Sequence, residues 1–265
     1  MRRAFSYTLI LIAGPLLAQT NNTKDAPNPS KSVAVDAVRE YVLGYTKSLP
    51  NYTCTITTRH IKSPAGIGQA SGAVELTKIE EQLSFVDGKE LRKITRIDGR
   101  PATEDADDHL KETSEGEFGA LLDVIFEPAT GADLQWDHSA TLNKRKVDVI
   151  AFHVPQRRGY VLNGSRGSVR VPFEGFVFAD AQTHAVMRLE MKCTLIPAKF
   201  QMQLFDLTLD YKAASVAGNE VILPFHFILH YRDFADDRNH TNDGQYSAYL
   251  RFSVDTTTQL EDAKQ

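Results

Sequence analysis

The first regular pattern along the chain is helical. Val35, Val38, Val42, Tyr45 and Leu49 recur at spacings of three and four, Ser32 stands at a capping position, and Pro50 stops the repeat. From Tyr52 the period drops to two: Cys54, Ile56 and Thr58 alternate with Thr53, Thr55 and Thr57, a β-branched strand. Residues 73–86 place Val74 and Leu76 on one parity and Ile79, Leu83 and Phe85 on the other, which a bulge near Thr77 reconciles. Asp87-Gly88 and Asp98-Gly99 bound the next strand with hairpin turns. A second helical repeat, Phe118, Leu121, Leu122, Ile125 and Phe126, then interrupts the β pattern before Pro128.

Beyond it strands resume. Leu134 and Trp136 lie in one, and Val147, Val149 and Ala151 in the next across a polar turn; 176–179 and 186–196 read as a further hairpin. Met187, Leu189, Met191, Cys193 and Leu195 share a face opposite Arg188, Glu190 and Lys192. The alternation returns in Phe205, Leu207, Leu209 and Tyr211, in Phe225, Phe227, Leu229 and Tyr231, and in Tyr246, Ala248, Leu250, Phe252 and Val254. Such alternation belongs to antiparallel sheets with one apolar and one wet face, and excludes a doubly wound parallel fold. Eight or more long strands of this kind curl. The fold class expected is therefore α+β, mainly β: a curved antiparallel sheet or half-open β-barrel covered by one or two helices.

Composition adds the location. The 265 residues are 42% hydrophobic and 24% charged, as in an ordinary globular protein, and 30 basic against 34 acidic residues leave a formal charge of −4. That balance makes nucleic acid a poor partner. Arg2 and Arg3 precede an apolar run ending near Ala18, the layout of a secretory signal and too short for a stable transmembrane anchor. The expected organisation is a signal peptide at 1–18, a flexible leader at 19–31 containing Pro27 and Pro29, a single half-barrel domain at 32–255 and a polar tail at 256–265. The mature protein is expected to be exported, periplasmic or secreted. Cys54 and Cys193 can form one disulfide there, or stay as two buried free thiols.

Candidate chemistry is sparse. Asn163-Gly164-Ser165-Arg166-Gly167 lacks the first glycine of a nucleophile elbow, and no Walker loop, S-x-x-K or H-E-x-x-H occurs. His226 and His230 sit on a strand pattern, where four residues separate their rings by about 13 Å, so no metal is expected between them. The acidic segment 233–244 does not fit an EF-hand and reads as a solvated hairpin loop. Arg157, Arg158, Arg166 and Arg170 form a basic cluster explained equally by a solvated sheet face and by an anionic head group. No catalytic residue and no cofactor are expected.

Leu49-Pro50-Asn51-Tyr52-Thr53-Cys54, Gly116-Glu117-Phe118-Gly119 and Phe126-Glu127-Pro128-Ala129-Thr130 resemble a family of uncharacterised exported bacterial proteins. The order of helix, strands, inserted apolar helix and further strands is similar to that of periplasmic lipoprotein carriers and sigma-factor-regulator sensors, whose half-open barrel is covered by helices. The expected function is non-enzymatic binding or carriage of a hydrophobic ligand, an acyl lipid or lipoprotein segment. Met187, Leu189, Met191, Leu207, Phe225 and Phe227 would contact it on the sheet, with Phe118, Leu122, Ile125 and Phe126 as a lid. The alternatives are that these residues are simply core, that the protein is an envelope interaction or stress-sensing module, or that scattered groups make a hydrolase.

Overall fold

The computed structural model describes residues 29–64, 72–103, 120–164, 167–216, 218–234 and 236–251. The segment expected to be a signal peptide, most of the expected leader, Phe118, Ser165, Arg166 and the expected polar tail lie outside these residues. Helix α1 (Pro29–Ser48) leads into β1 (Tyr52–Pro64), β2 (Val74–Val86), β3 (Lys89–Ile97) and the two-residue β4 (Arg100–Pro101). Helix α2 (Ala120–Phe126) precedes β5 (Asp133–Leu142), β6 (Arg145–Val154), β7 (Tyr160–Gly164) and β8 (Gly167–Val171). The chain then closes with β9 (Phe173–Asp180), β10 (Val186–Cys193), β11 (Met202–Val216), β12 (Asn219–Asp233) and β13 (Arg238–Arg251).

Eleven strands make one antiparallel sheet in the order β4-β3-β2-β1-β13-β12-β11-β10-β9-β6-β5, and β7 and β8 form a separate hairpin. The edges β4 and β5 do not pair, so the sheet curves without closing. Pairing of β1 with β13 sets the first and last described strands side by side near the middle of the sheet. The expected hairpin turns are present: Asp87, Asp98, Asn143 and Lys144 all have positive φ, and Gly88 and Gly99 complete the first two.

One face of the sheet carries the core. Tyr52, Cys54 and Ile56 of β1, Leu207 and Leu209 of β11, Leu189 and Met191 of β10, and Ile150 and Phe152 of β6 belong to a single buried cluster. Val35, Val38 and Val42 of α1 and Leu122, Ile125 and Phe126 of α2 join it, so both helices lie on the apolar face. Helix α1 starts at Pro29, inside the expected leader; a proline is well suited to the first helical turn, where its missing N–H has no partner to lose. The ring of Phe227 lies over Gly244 on the neighbouring strand, occupying the space a Cβ would need.

Register shifts interrupt several strand pairs, and four of them bear on the parity reading. The first is the one expected in β2: His60 pairs with Thr77 and Ile61 with Glu75, so Leu76 is the extra residue. Three others were not foreseen. In β10 the register passes from Val186 to Arg188, leaving Met187 bulged and half-buried while Leu189 and Met191 are buried. In β12, Tyr211 pairs with Pro224 and Asp210 with His226; Phe225 is the extra residue and carries Lys212 Nζ over its ring at 4.9 Å. In β13, Thr53 pairs with Leu250 but Thr55 with Ser247, and Ala248 takes φ 53°. That step turns Tyr249 inward and leaves Leu250 64% exposed, against the expected common face. Leu195, beyond the end of β10, is 82% exposed. The segment 233–244 is likewise less of a loop than expected, since β13 begins at Arg238.

Cys54 sits buried on β1 and Cys193 ends β10, with β13, β12 and β11 between their strands. Neither is in a disulfide, which corrects the disulfide alternative. Burial, with Asp206 nearby, pushes the Cys193 thiol up, which favours its protonated form.

Leu122 is fully buried where α2 meets the sheet. Leu122→Ala is expected to lower unfolding free energy by about 2–5 kcal/mol, against less than about 0.5 kcal/mol for exposed Leu250→Ala. Urea denaturation followed by far-UV circular dichroism measures both.

Candidate functional site

Helix α1 crosses the apolar face from one edge of the sheet towards its centre. Near its start, Lys31 Nζ lies 4.6 Å from the centre of the Trp136 ring on β5; near its end, the Tyr45 hydroxyl donates to the carbonyl of Ile222 on β12. Burial, with Tyr41 adjacent, pushes the Tyr45 hydroxyl above its ordinary range, so it stays a donor. The Tyr249 hydroxyl, released inward by the β13 bulge, donates to the carbonyl of Pro224 just before the β12 bulge. Two tyrosines thus hold the same irregular stretch of β12.

A groove of about 840 Å³ opens beside this anchor. Ala37, Tyr41, Gly44 and Tyr45 of α1 form one wall, and Val221 and Ile222 of β12 form the facing one. Thr183 and His184, in the turn between β9 and β10, close a third side. Tyr41, Tyr45, Val221 and Ile222 also pack against the main core, so the groove reaches down to the seam where the helix meets the sheet. A Cβ added at Gly44 would meet nothing within 4 Å, which leaves that stretch of α1 bare beside the two tyrosine rings.

The β9–β10 turn is held by Asp180. Its Oδ1 accepts from the N–H groups of Gln182 (3.0 Å) and Thr183 (2.8 Å) and from the Thr183 hydroxyl (3.0 Å), while Arg145 Nε lies 2.8 Å from Oδ2. Burial alone would raise the Asp180 pKa; the bonds from Thr183 and Gln182 and the charge of Arg145 outweigh it and hold the carboxyl below its ordinary value. The turn carries His184 with φ 60°, an uncommon backbone conformation for a residue other than glycine, and presents it to the groove.

The residues nominated from sequence are brought together elsewhere. Leu189, Met191, Leu207, Phe227, Leu122, Ile125 and Phe126 are all buried in the core that the helices cover. Met187 and Phe225 stand half-buried at bulges. None of these nine lines the groove. The groove was missed because its walls come from three distant segments; Tyr41, Gly44 and Tyr45, one helical turn apart, were its one local signal.

A polar network at the other end of β1 and β12 was also missed. His60 Nδ1 lies 2.6 Å from Asn242 Oδ1, His240 Nδ1 lies 3.1 Å from His60 Nε2, and His240 Nε2 lies 3.3 Å from Asp236 Oδ1. Lys62 pairs with the same aspartate, and Tyr231 stacks on His240 at 4.8 Å. These groups are engaged with one another and tie β1 to β13. On the polar face, His226 lies between Asp243 (2.8 Å) and Asp210 (3.8 Å), as a strand position requires. Among the described residues no group of three or more His, Cys, Asp or Glu side chains is placed to hold a metal. Arg170 of the basic cluster donates to the Gly159 carbonyl at 2.8 Å, a structural bond within its own hairpin. No described helix is long and apolar enough to cross a membrane.

No family model and no curated protein match the chain. Solved structures similar to it include a putative outer membrane lipoprotein-sorting protein domain from Vibrio parahaemolyticus, 10% identical over 87% of this chain and 95% of that one, with a TM-score of 0.41. A DUF1329 family protein from Desulfovibrio piger is 7% identical over 84% and 93%, with a TM-score of 0.37. A chain of the MucA/MucB complex of Pseudomonas aeruginosa is 13% identical over 83% and 100%, with a TM-score of 0.21. At these identities and scores the likeness reaches no further than the layout of the chain.

Two measurements check the anchor. Tyr45→Phe, which removes the donor to Ile222, is expected to cost about 0.5–1.5 kcal/mol in urea denaturation and to speed amide exchange in the last turns of α1. Because the folded pKa of Asp180 is depressed, its contribution is present above the unfolded carboxylate value of about 3.9 and is lost as pH falls through the folded one. The thermal midpoint therefore drops on acidification below about pH 4, and the drop is shallower in Asp180→Asn; equal slopes would show that Asp180 contributes nothing.

Proposed function

We propose that this is an exported, non-enzymatic binding or carrier protein for a hydrophobic ligand, an acyl lipid or a lipoprotein segment, and that the groove beside α1 is where the ligand enters. The observation that carries this reading is the groove itself, whose Tyr41, Tyr45, Val221 and Ile222 pack on the core at a seam between α1 and the sheet while Glu40, Ser48, His184 and Glu220 supply polar lining. An unclosed sheet must cover its apolar face, and a helix held by side-chain contacts is easier to displace than a strand held by a backbone ladder. In this reading Tyr41, Tyr45, Val221 and Ile222 meet the ligand first. Leu189, Met191, Leu207, Phe225, Phe227 and Met187 form or flank the face behind the helices, and Phe118, Leu122, Ile125 and Phe126 belong to the segment that covers it.

Native mass spectrometry of protein taken from the envelope of the producing cells, beside a delipidated control, tests the reading. A stoichiometric acyl ligand is expected on the wild type. Gly44→Trp, which fills the groove from a position with open space around it, is expected to lower occupancy about tenfold or more with an unchanged circular dichroism spectrum. A clean apo mass, with no uptake of added acyl lipid, would overturn the proposal.

A further inference from the structure

We infer that His60 and His240 form a clasp between β1 and β13 that closes only while the two rings share a single positive charge, so that gain or loss of one proton loosens that end of the sheet. The inference goes beyond the ligand reading above and does not depend on it. The clasp lies at the far end of β12 from the groove, where Tyr231, part of the buried core, stacks on His240. Its proton count follows from the partners. The amide oxygen of Asn242 only accepts, so His60 Nδ1, 2.6 Å away, carries a proton. His240 Nε2 lies 3.3 Å from each oxygen of Asp236, and against an ionised carboxylate that nitrogen must donate as well. The inner nitrogens, His60 Nε2 and His240 Nδ1, lie 3.1 Å apart and need one proton between them. Four ring nitrogens thus hold three protons, one more than two neutral imidazoles carry.

The surroundings favour that one charge and oppose a second. Burial alone would raise the Asp236 pKa; the bonds from Lys62 and His240 outweigh it and hold the carboxyl below its ordinary value, and the Arg238 N–H adds a bond at 3.1 Å. Tyr231 lies 12° from parallel with the His240 ring and offers it the negative face of its quadrupole. Lys62 brings a cation to the same carboxylate and so repels a further one. The other charged neighbours are engaged elsewhere: Glu75 of β2 with Arg59, Arg232 of β12 with Asp237, and Asp233 with Gln201. When a second proton is gained, two N–H groups face each other between two charged rings. When the shared proton is lost, a bare nitrogen faces either the other ring or Asp236. On the acid side the unfolded chain binds more protons than the clasp, so closure weakens as pH falls; on the alkaline side it binds fewer, so closure weakens as pH rises.

Long-range proton–nitrogen correlation spectra of the histidine-labelled full chain, recorded from about pH 5 to about pH 9, count the ring protons directly. Within that range His60 Nδ1 and His240 Nε2 are expected to be protonated together, with one proton between the inner pair. Two neutral rings at every pH, or two rings that titrate independently of each other, overturn the inference. Amide exchange, corrected for its intrinsic pH dependence, is expected to be slowest in residues 60–64 and 238–242 at the pH of the shared charge and about tenfold faster at either limit. In His240→Gln, which keeps a donor and an acceptor but does not titrate, the same amides are expected to vary by less than about twofold over the range. His138→Gln, at an exposed histidine on β5, is expected to keep the wild-type profile. A profile that survives in His240→Gln, or that is lost equally in His138→Gln, overturns the inference. Should His240→Gln fail to fold, the wild-type spectra decide alone.

Discussion

Burial of Val35, Val38 and Val42 against the sheet is the contact on which the rest of this structure depends. An eleven-stranded sheet whose end strands do not meet has an apolar face as long as its strands, and water on that face is costly at roughly 25 cal/mol per Å². A closed barrel solves this with its own opposite wall. Here the opposite wall is α1 and α2, held by side-chain packing and by the Tyr45 hydroxyl rather than by a backbone ladder. The seam along that wall is therefore where the groove lies.

The curvature that makes the face concave has identifiable sources. Met187, Phe225 and Ala248 are extra residues in β10, β12 and β13, and further register shifts fall in β2, β3, β5 and β11. Bulges bend and twist the strand that holds them, so a set of them spread over the sheet adds to its curvature. The carbonyls of Ile222 and Pro224, close to the β12 bulge, receive the hydroxyls of Tyr45 and Tyr249, so α1 is attached near the irregular stretch of that strand.

The polar face follows another rule. Arg59, Asp243, His226, Asp210, Arg188 and Glu190 alternate across β1, β13, β12, β11 and β10, a chain of neighbours in register. Burial tends to raise the Asp243 pKa, but the bonds from Arg59 and His226 hold it below the ordinary carboxylate range. Exposed pairs of this kind add little stability individually; their consistency disfavours a shifted register, which would set like charges opposite each other.

Much of the fold could be read from the amino-acid order. Alternation is explicit in Phe205, Leu207, Leu209 and Tyr211; the helical spacing of Val35, Val38 and Val42 and the turns at Asp87-Gly88 and Asp98-Gly99 are equally local, because side-chain periodicity and left-handed backbone are properties of a few adjacent residues. The expectation of a helix-covered, unclosed antiparallel sheet followed from them. The places where Met187, Phe225 and Leu250 left the expected face were not readable, since a bulge is set by the partner strand's register. Whether the apolar face is filled, and where a groove remains, was likewise decided only in three dimensions: Tyr41, His184 and Ile222 come from three segments far apart in sequence. Local sequence determined the periodicity of each helix and strand, because that depends on a few adjacent residues; the tertiary structure decided where bulges reset the inward face and which residues meet, because register and packing depend on distant partners.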